Sequence, residues 1–379
     1  MFDQDHIAEA IAWRHDLHRH PELGFEEHRT SEMIAGLLTG WGWRVHRGLA
    51  GTGVVAQMGQ GAPVIGLRAD IDALPIVEAT GAAHASTIPG KMHACGHDGH
   101  AAMLLLAARQ IAAEGVEQGT VTLIFQPAEE SEGGARVMIE QGLFTQFPVD
   151  KVFGIHNWPG LAPGRFVARD DKMMAAFSVF DIEILGKGGH GAMPEQSDGV
   201  IAAAGRTAAA LQEIPARALS PLEPGVVSVT QIHSGSAYNV CPDRAVLSGT
   251  CRWFGPEAGD IIEERVRRVA TSEAAAQGCT ANIDYQRRYP ATINSAPEAA
   301  LARDVAAEMG LDTAMTGPSM ASEDFAFMLN EIPGAYLWLG AAREGENPGL
   351  HSAKFDFNDA VLPAGAELWV RLARRATRG

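Results

Sequence analysis

The chain has 379 residues, 46 % apolar and 20 % charged, the balance of a folded protein with room for one large domain and a smaller one. A formal charge of −16 removes any general attraction to phosphate backbones or anionic membranes, so neither nucleic acid nor membrane is an expected partner. Four cysteines, Cys95, Cys241, Cys251 and Cys279, lie far apart without framework spacing, which points to a reducing, cytoplasmic compartment rather than to disulfides.

The opening MFDQDHIAEAIAWRHDLHRH carries Asp3 and Asp5 where a secretory leader would be basic, lacks an apolar centre, and reads as a helix over 7–20. Further helices are expected over 31–41, 99–114 and 135–142. Short apolar strands are expected over 64–67, 121–126 and 152–155, each ending in a polar or Gly-rich turn. This alternation is the α/β signature: a mixed, mostly parallel sheet flanked by helices.

The pattern changes between about 176 and 289. Residues 178–185 put Phe180, Ile182 and Ile184 on one face and Asp181 and Glu183 on the other, the period of a half-exposed strand. A helix over 199–214 follows, with Ser197 and Asp198 available to cap it. Strands over 226–232 and 245–253, a helix over 259–277 and a strand over 281–286 complete the order β-α-β-β-α-β, which predicts a ferredoxin-like α+β unit. Beyond it, a helix over 297–309, a strand over 335–339 and a basic final helix resume the first pattern. The chain therefore reads as a discontinuous domain, 1–175 and 290–379, interrupted by a lid over 176–289.

Four segments carry chemistry. KMHACGHDGH, residues 91–100, packs a thiol and three imidazoles into a Gly-containing turn, and its CxH spacing lets Cys95 and His97 converge on one metal ion. A helix-capping turn with surface histidines is the plainer reading of that segment alone. In VTLIFQPAEESEGG, residues 121–134, Glu129 and Glu130 leave a strand end in different directions, so that one can bind a metal while the other faces the attacking water. The alternative, a solvated acidic helix start favoured by the macrodipole, is the reading given to Glu132. His156 closes the strand in VFGIHNWPG, and His351 follows a Gly-rich loop in GLHSAKFDF. A lone His is more often an ordinary hydrogen-bonded residue. Strand ends of an α/β sheet, however, gather at one edge, so scattered segments can build one pocket.

RHDLHRHPELGFEEHRTS, GLRADIDALPI, KMHACGHDGHAAMLLLAA, FQPAEES, GIHNWP, GKGGHGAMP, HSGSAYNVCPD, ASEDFAFML and LHSAKFDFND occur in that order between about residues 11 and 360. Together they resemble the amidohydrolase branch of the two-metal aminoacylase and carboxypeptidase family, which includes hippurate hydrolases, N-acyl amino acid deacylases and auxin-conjugate hydrolases. The resemblance implies two divalent ions (Zn, Mn, Co or Ni) held by Cys95, His97, Glu130, His156 and His351, with the Cys95 thiolate bridging them and Glu129 as general base. It also implies that His190, in GKGGHG, donates to the developing oxyanion and can reach the site of a partner subunit, the lid joining homodimers or homotetramers. Asn239 and Arg252, expected on lid strands, are candidates to grip a substrate carboxylate, although Arg252 reads equally as a surface strand residue.

One departure stands out: many relatives carry His-x-Asp after an early strand, whereas this chain reads Arg68-Ala-Asp70, leaving His97 to replace the missing imidazole and Asp70 to support a ligand from behind. SMASEDF lacks the paired glycines common in that motif, so Glu323 and Asp324 read as structural acids, and the remaining cysteines as inert core residues. The implied reaction is hydrolysis of the amide bond of N-acyl-L-amino acids, hippurate-like, N-acetyl or aryl-acyl. A dipeptidase or carboxypeptidase of the same family, a thiol hydrolase using Cys95, and a non-catalytic scaffold are the alternatives. Chelation separates metal from thiol chemistry.

Overall fold

A computed structural model describes residues 2–130 and 133–378, so Glu132 and the helix start expected there lie outside the described residues. In chain order come α1 (Gln4–Arg19), α2 (His28–Gly40), β1 (Arg44–Leu49), β2 (Gly53–Gln60), β3 (Val64–Asp70), α3 (His97–Glu114), β4 (Gly119–Gln126), α4 (Gly134–Glu140), α5 (Leu143–Gln146), β5 (Lys151–Trp158), β6 (Phe166–Val167) and β7 (Lys172–Met174). Next are β8 (Ala176–Leu185), β9 (Gly189–His190), α6 (Val200–Gln212), α7 (Ile214–Ala218), β10 (Gly225–Ser234), β11 (Val240–Cys241), β12 (Arg244–Trp253), α8 (Pro256–Ala275) and β13 (Thr280–Tyr289). The chain ends with β14 (Thr292–Ile293), α9 (Ala296–Glu308), α10 (Ala326–Glu331), β15 (Gly334–Gly340) and α11 (Leu362–Thr377).

Two compact units result: Met1–Met173 with Thr292–Pro318 and Asp324–Gly379, and Met174–Ala291 with Ser319–Glu323. The short segment joins the second unit through backbone bonds, Ala175 N donating to Ser319 O (3.1 Å) and Ala321 O (2.9 Å).

In the first unit, seven described strands run in the order β1-β2-β4-β3-β5-β15-β6. The central strands β4, β3, β5 and β15 are mutually parallel, and antiparallel strands extend both edges. β4 and β15 are buried along their whole length, as continuous apolar runs between helix layers must be. α3 is likewise buried on nearly every face, with Ala101 to Ala108 all inaccessible. Parallel pairing makes Asp70, Gln126 and Trp158 end at one edge, and that edge carries the chemistry. The β1–β2 hairpin was not expected from the sequence. Its first strand is largely exposed and polar, so it shows neither an apolar run nor an apolar alternation.

In the second unit the sheet order is β10-β12-β8-β13, fully antiparallel, with α6 and α8 contributing to one core. This is the ferredoxin-like arrangement. β8 and β12 alternate buried and half-buried residues along their length, because only one face of the sheet meets the helices. Ser197 and Asp198 do not cap α6. Gly199 occupies that position without a side-chain bond, and the Asp198 carboxylate instead accepts from Lys187 N (2.5 Å). Cys251 and Cys279 are buried, whereas Cys241 is half-buried on β11 and so is not a core residue. Among the described residues, no helix is long and apolar enough to cross a membrane.

Candidate metal centre

Each site residue of the first unit leaves the C-terminal edge of the sheet or a loop beside it. Gly96, with φ of 92°, turns the chain so that α3 begins at His97, two residues earlier than its sequence pattern suggests. Cys95 precedes that turn, and His156 points from β5 toward it, with Nε2 3.4 Å from the Cys95 sulfur. His351, at φ of 62°, is anchored through its amide to Ala94 O (2.8 Å), so two distant segments meet by a backbone bond. Its Nε2 lies 3.2 Å from Glu130 Oε1.

Ligand-type atoms of Cys95, His97 and His156 lie within 4.8 Å of one another, and so do those of Cys95, Glu130 and His351. Cys95 belongs to both groups. His97, Glu129 and Glu130 form a further group of the same tightness. All five expected ligands and Glu129 thus converge.

The donor set fits cations. Burial first, then the carboxylates of Glu130, Glu129 and Asp70, push the Cys95 thiol well above its usual range. Burial and the neighbouring His100 hold His156 well below ordinary histidine. A thiolate–imidazolium pair is therefore disfavoured between these two residues. His97 behaves oppositely: burial would lower it, but Asp70, Asp72 and Glu130 outweigh that and raise it to about 10. His97 Nε2 is buried without a hydrogen bond, which is costly unless a cation completes it.

Behind these atoms stands a layer of acids. Asp70 Oδ1 is 2.5 Å from His100 Nδ1, while its Oδ2 accepts from Arg68 Nη1 (2.8 Å) and lies 3.7 Å from His97 Nε2. Burial opposes its ionisation, yet His97, His100 and Arg68 hold its pKa well below normal. The carboxylate beside the other His97 nitrogen is Asp72, whose Oδ1 is 3.1 Å from Nδ1 and whose Oδ2 accepts from Glu130 N (2.9 Å). Sequence reasoning missed Asp72. The IDALP segment offered an acid but nothing to show what it faces.

Asp324, read from the sequence as a structural acid, belongs to this layer as well. Its carboxylate accepts from Arg68 Nη2 (3.0 Å), Gln126 Nε2 (2.9 Å) and Ala135 N (2.9 Å), and its own amide approaches Glu129 Oε1 (3.3 Å).

The three remaining sequence candidates belong to the second unit. His190 on β9 is exposed, pairs in register with Val240, and accepts at Nδ1 from Ala192 N (3.1 Å). Asn239 sits in the turn before β11 rather than on a strand, beside His190, its carbonyl accepting from Gly191 N (2.8 Å). Arg252 is at the opposite end of β12 from Arg244, roughly 26 Å along the strand by ordinary strand rise. Its guanidinium stacks 4.1 Å over the Phe177 ring and donates to Cys251 O (3.0 Å).

Comparison with known proteins agrees with this geometry. The pattern of Peptidase family M20/M25/M40 matches residues 66–375. The chain is 38 % identical over 375 residues to the IAA-amino acid hydrolase ILR1-like 4 of Arabidopsis thaliana, covering 96 % of this chain and 85 % of that protein. It is 38 % identical over 366 residues to the hippurate hydrolase of Campylobacter jejuni, covering 95 % and 94 %. The crystal structure of the Bacillus subtilis YXEP protein, a dinuclear metal binding peptidase from the M20 family, superposes with a TM-score of 0.86 at 35 % identity, over 99 % of each chain. With the family pattern spanning the clustered acids, thiol and imidazoles of the sheet edge, and relatives aligned along nearly their whole length, the chain belongs to Peptidase family M20/M25/M40.

Proposed function

We propose that this protein is a two-metal amidohydrolase that cleaves the amide bond of N-acyl-L-amino acids. The observation that carries the proposal is the double membership of Cys95, a single sulfur common to the His97–His156 and the Glu130–His351 groups. Cys95, His97, Glu130, His156 and His351 would hold two divalent ions, which when bound supply Lewis acidity and a water of lowered pKa. Bound dications would also favour the Cys95 thiolate against the local burial.

Glu129 takes the proton of the attacking water and returns it to the amine leaving the tetrahedral intermediate. Its carboxylate is aimed by the Asp324 amide. His190 donates to the developing oxyanion, and its exposed place beside Asn239 suits reach into the site of a second copy. Edge strand β10, with exposed Val226 and Ile232, supports self-association of the second unit as the lid and dimerisation domain. Arg252 supplies the positive charge for the substrate carboxylate. The named relatives, an IAA-amino acid hydrolase and a hippurate hydrolase, support an N-acyl amino acid as the substrate class.

The test is Glu129→Gln. It is expected to retain both metals and lose turnover by about 10²–10⁴-fold on a benzoyl amino acid. A metal-replete variant with undiminished kcat rejects the proposal.

A further inference from the structure

Glu129 and Glu130 sit on a turn that the backbone does not adopt easily. Ala128, directly before them, has φ of 53°, a left-handed conformation that a residue with a Cβ occupies only when neighbours hold it there. Three bonds do so. Ala128 O accepts from Gly134 N (2.9 Å), and Glu130 N donates to Asp72 Oδ2 (2.9 Å). The third is made by the Ala128 amide, which donates to Glu27 Oε1 (2.9 Å), a residue 101 positions away.

Glu27 has no role in the chemistry described so far. It is fully buried and forms no ion pair among the described residues. It occupies the N-cap position of α2, where amide donors are at hand, yet its side chain makes no capping bond. Its two oxygens are used elsewhere, one on Ala128 and the other on the Thr52 hydroxyl (2.5 Å). Burial foremost, with the charge of Asp72, raises its pKa to about 7. An apolar side chain would fill this space without that penalty, but it could not accept the amide.

We infer that Glu27, oriented by Thr52, is a positioning residue that locks the left-handed turn at Ala128 and thereby sets the directions of Glu129 and Glu130. Without the acceptor, Ala128 N is a buried orphan donor and the residue is free to return to negative φ, a rotation of more than about 100° immediately before both acids. The inference rests on the roles proposed above for Glu129 and Glu130. It extends them to a residue on a different element that touches neither substrate nor metal.

The experiment uses the cobalt(II)-loaded full chain, with kcat and KM on N-benzoylglycine, the visible cobalt spectrum, cobalt affinity by equilibrium dialysis, and melting temperature. Glu27→Ala is expected to lower kcat about 30-fold with KM within about threefold, and to shift the cobalt bands as the Glu130 ligand loosens, with affinity falling by about 10-fold or more. Glu27→Gln keeps an acceptor for Ala128 and is expected to stay within about fivefold of the parent. A role in stability alone would lower the melting temperature and leave the kcat and spectrum of the folded, loaded protein unchanged, which overturns the inference. Equal losses in Glu27→Ala and Glu27→Gln overturn it too, since the charge rather than the acceptor would then matter. Should Glu27→Ala not fold, Thr52→Val decides: a lowered kcat with altered cobalt bands supports the inference, and parent values refute it. A parent enzyme that binds no cobalt, or a fully active Glu129→Gln, would instead reject the underlying functional reading.

Discussion

Asp72 gives the sharpest test of how the centre is built. It is buried, and both carboxylate oxygens are in use, one 3.1 Å from His97 Nδ1 and the other accepting from Glu130 N at 2.9 Å. An amide has only one acceptor oxygen, so Asp72→Asn, nearly unchanged in shape, can serve only one of the two. If its oxygen stays on His97, an N–H faces the Glu130 amide and leaves a buried donor unpaired, at about 1–3 kcal/mol. If it turns over, the amide N–H faces His97 Nδ1, which loses the carboxylate that orients it and keeps only the Asp72 backbone carbonyl (3.0 Å) as acceptor. Both arrangements weaken the centre. Loss of an outer partner of this kind lowers metal affinity by about 10–100-fold, equivalent to about 1.4–2.7 kcal/mol. Zinc dissociation constants from competition with a chromophoric chelator, together with urea melts of the metal-free protein, measure the two effects separately. Unchanged zinc affinity in a folded Asp72→Asn protein would refute the reasoning, even if stability fell.

Other consequences can be checked away from the reacting groups. Burial works against a charged His18, but Asp98, 2.8 Å from Nδ1, prevails and raises its pKa from 6.5 to about 9. A raised histidine stabilises the fold fully below about pH 6.5 and loses that contribution as the pH passes about 9, so His18→Gln should be up to about 3 kcal/mol more destabilising at pH 6 than at pH 10. Urea melts of the metal-free protein at the two pH values test this, and a pH-independent difference counts against it. A Cβ on Gly99 would overlap the buried Phe357 ring, so Gly99→Ala should lower stability by about 1–3 kcal/mol, read from the denaturation midpoint. If Arg252 binds the substrate carboxylate, Arg252→Ala raises KM for N-acyl amino acids by about 10-fold or more and much less for their amides. Equal effects on acid and amide would assign Arg252 to its contacts with Phe177 and Cys251 instead.

The elements legible in the sequence are those whose burial imposes a local period. β4 and β5 show as apolar runs, and β8 as a strict alternation, because their partners cover both faces or one. β1 shows neither period, since it is held mainly by backbone pairing at an exposed sheet edge. Among the polar groups, Cys95, His97, Glu130, His156 and His351 stand out in the sequence through the ordered motifs that resemble the two-metal family. Their convergence needed parallel strands that end together.

Amino-acid order by itself determined the layer architecture, the inserted unit and the chemical types of the donors, because periodicity and ligand chemistry are properties of short segments. Only the tertiary structure decided which acids support those donors. Asp70 and Asp72 lie two residues apart and look alike in the chain, yet one approaches His100 and the other His97 and the Glu130 amide. Glu27 reaches Ala128 across 101 residues, and Asp324 reaches Arg68 across 256. A hydrogen bond forms wherever packing brings donor and acceptor within about 3 Å, and no local pattern encodes that meeting.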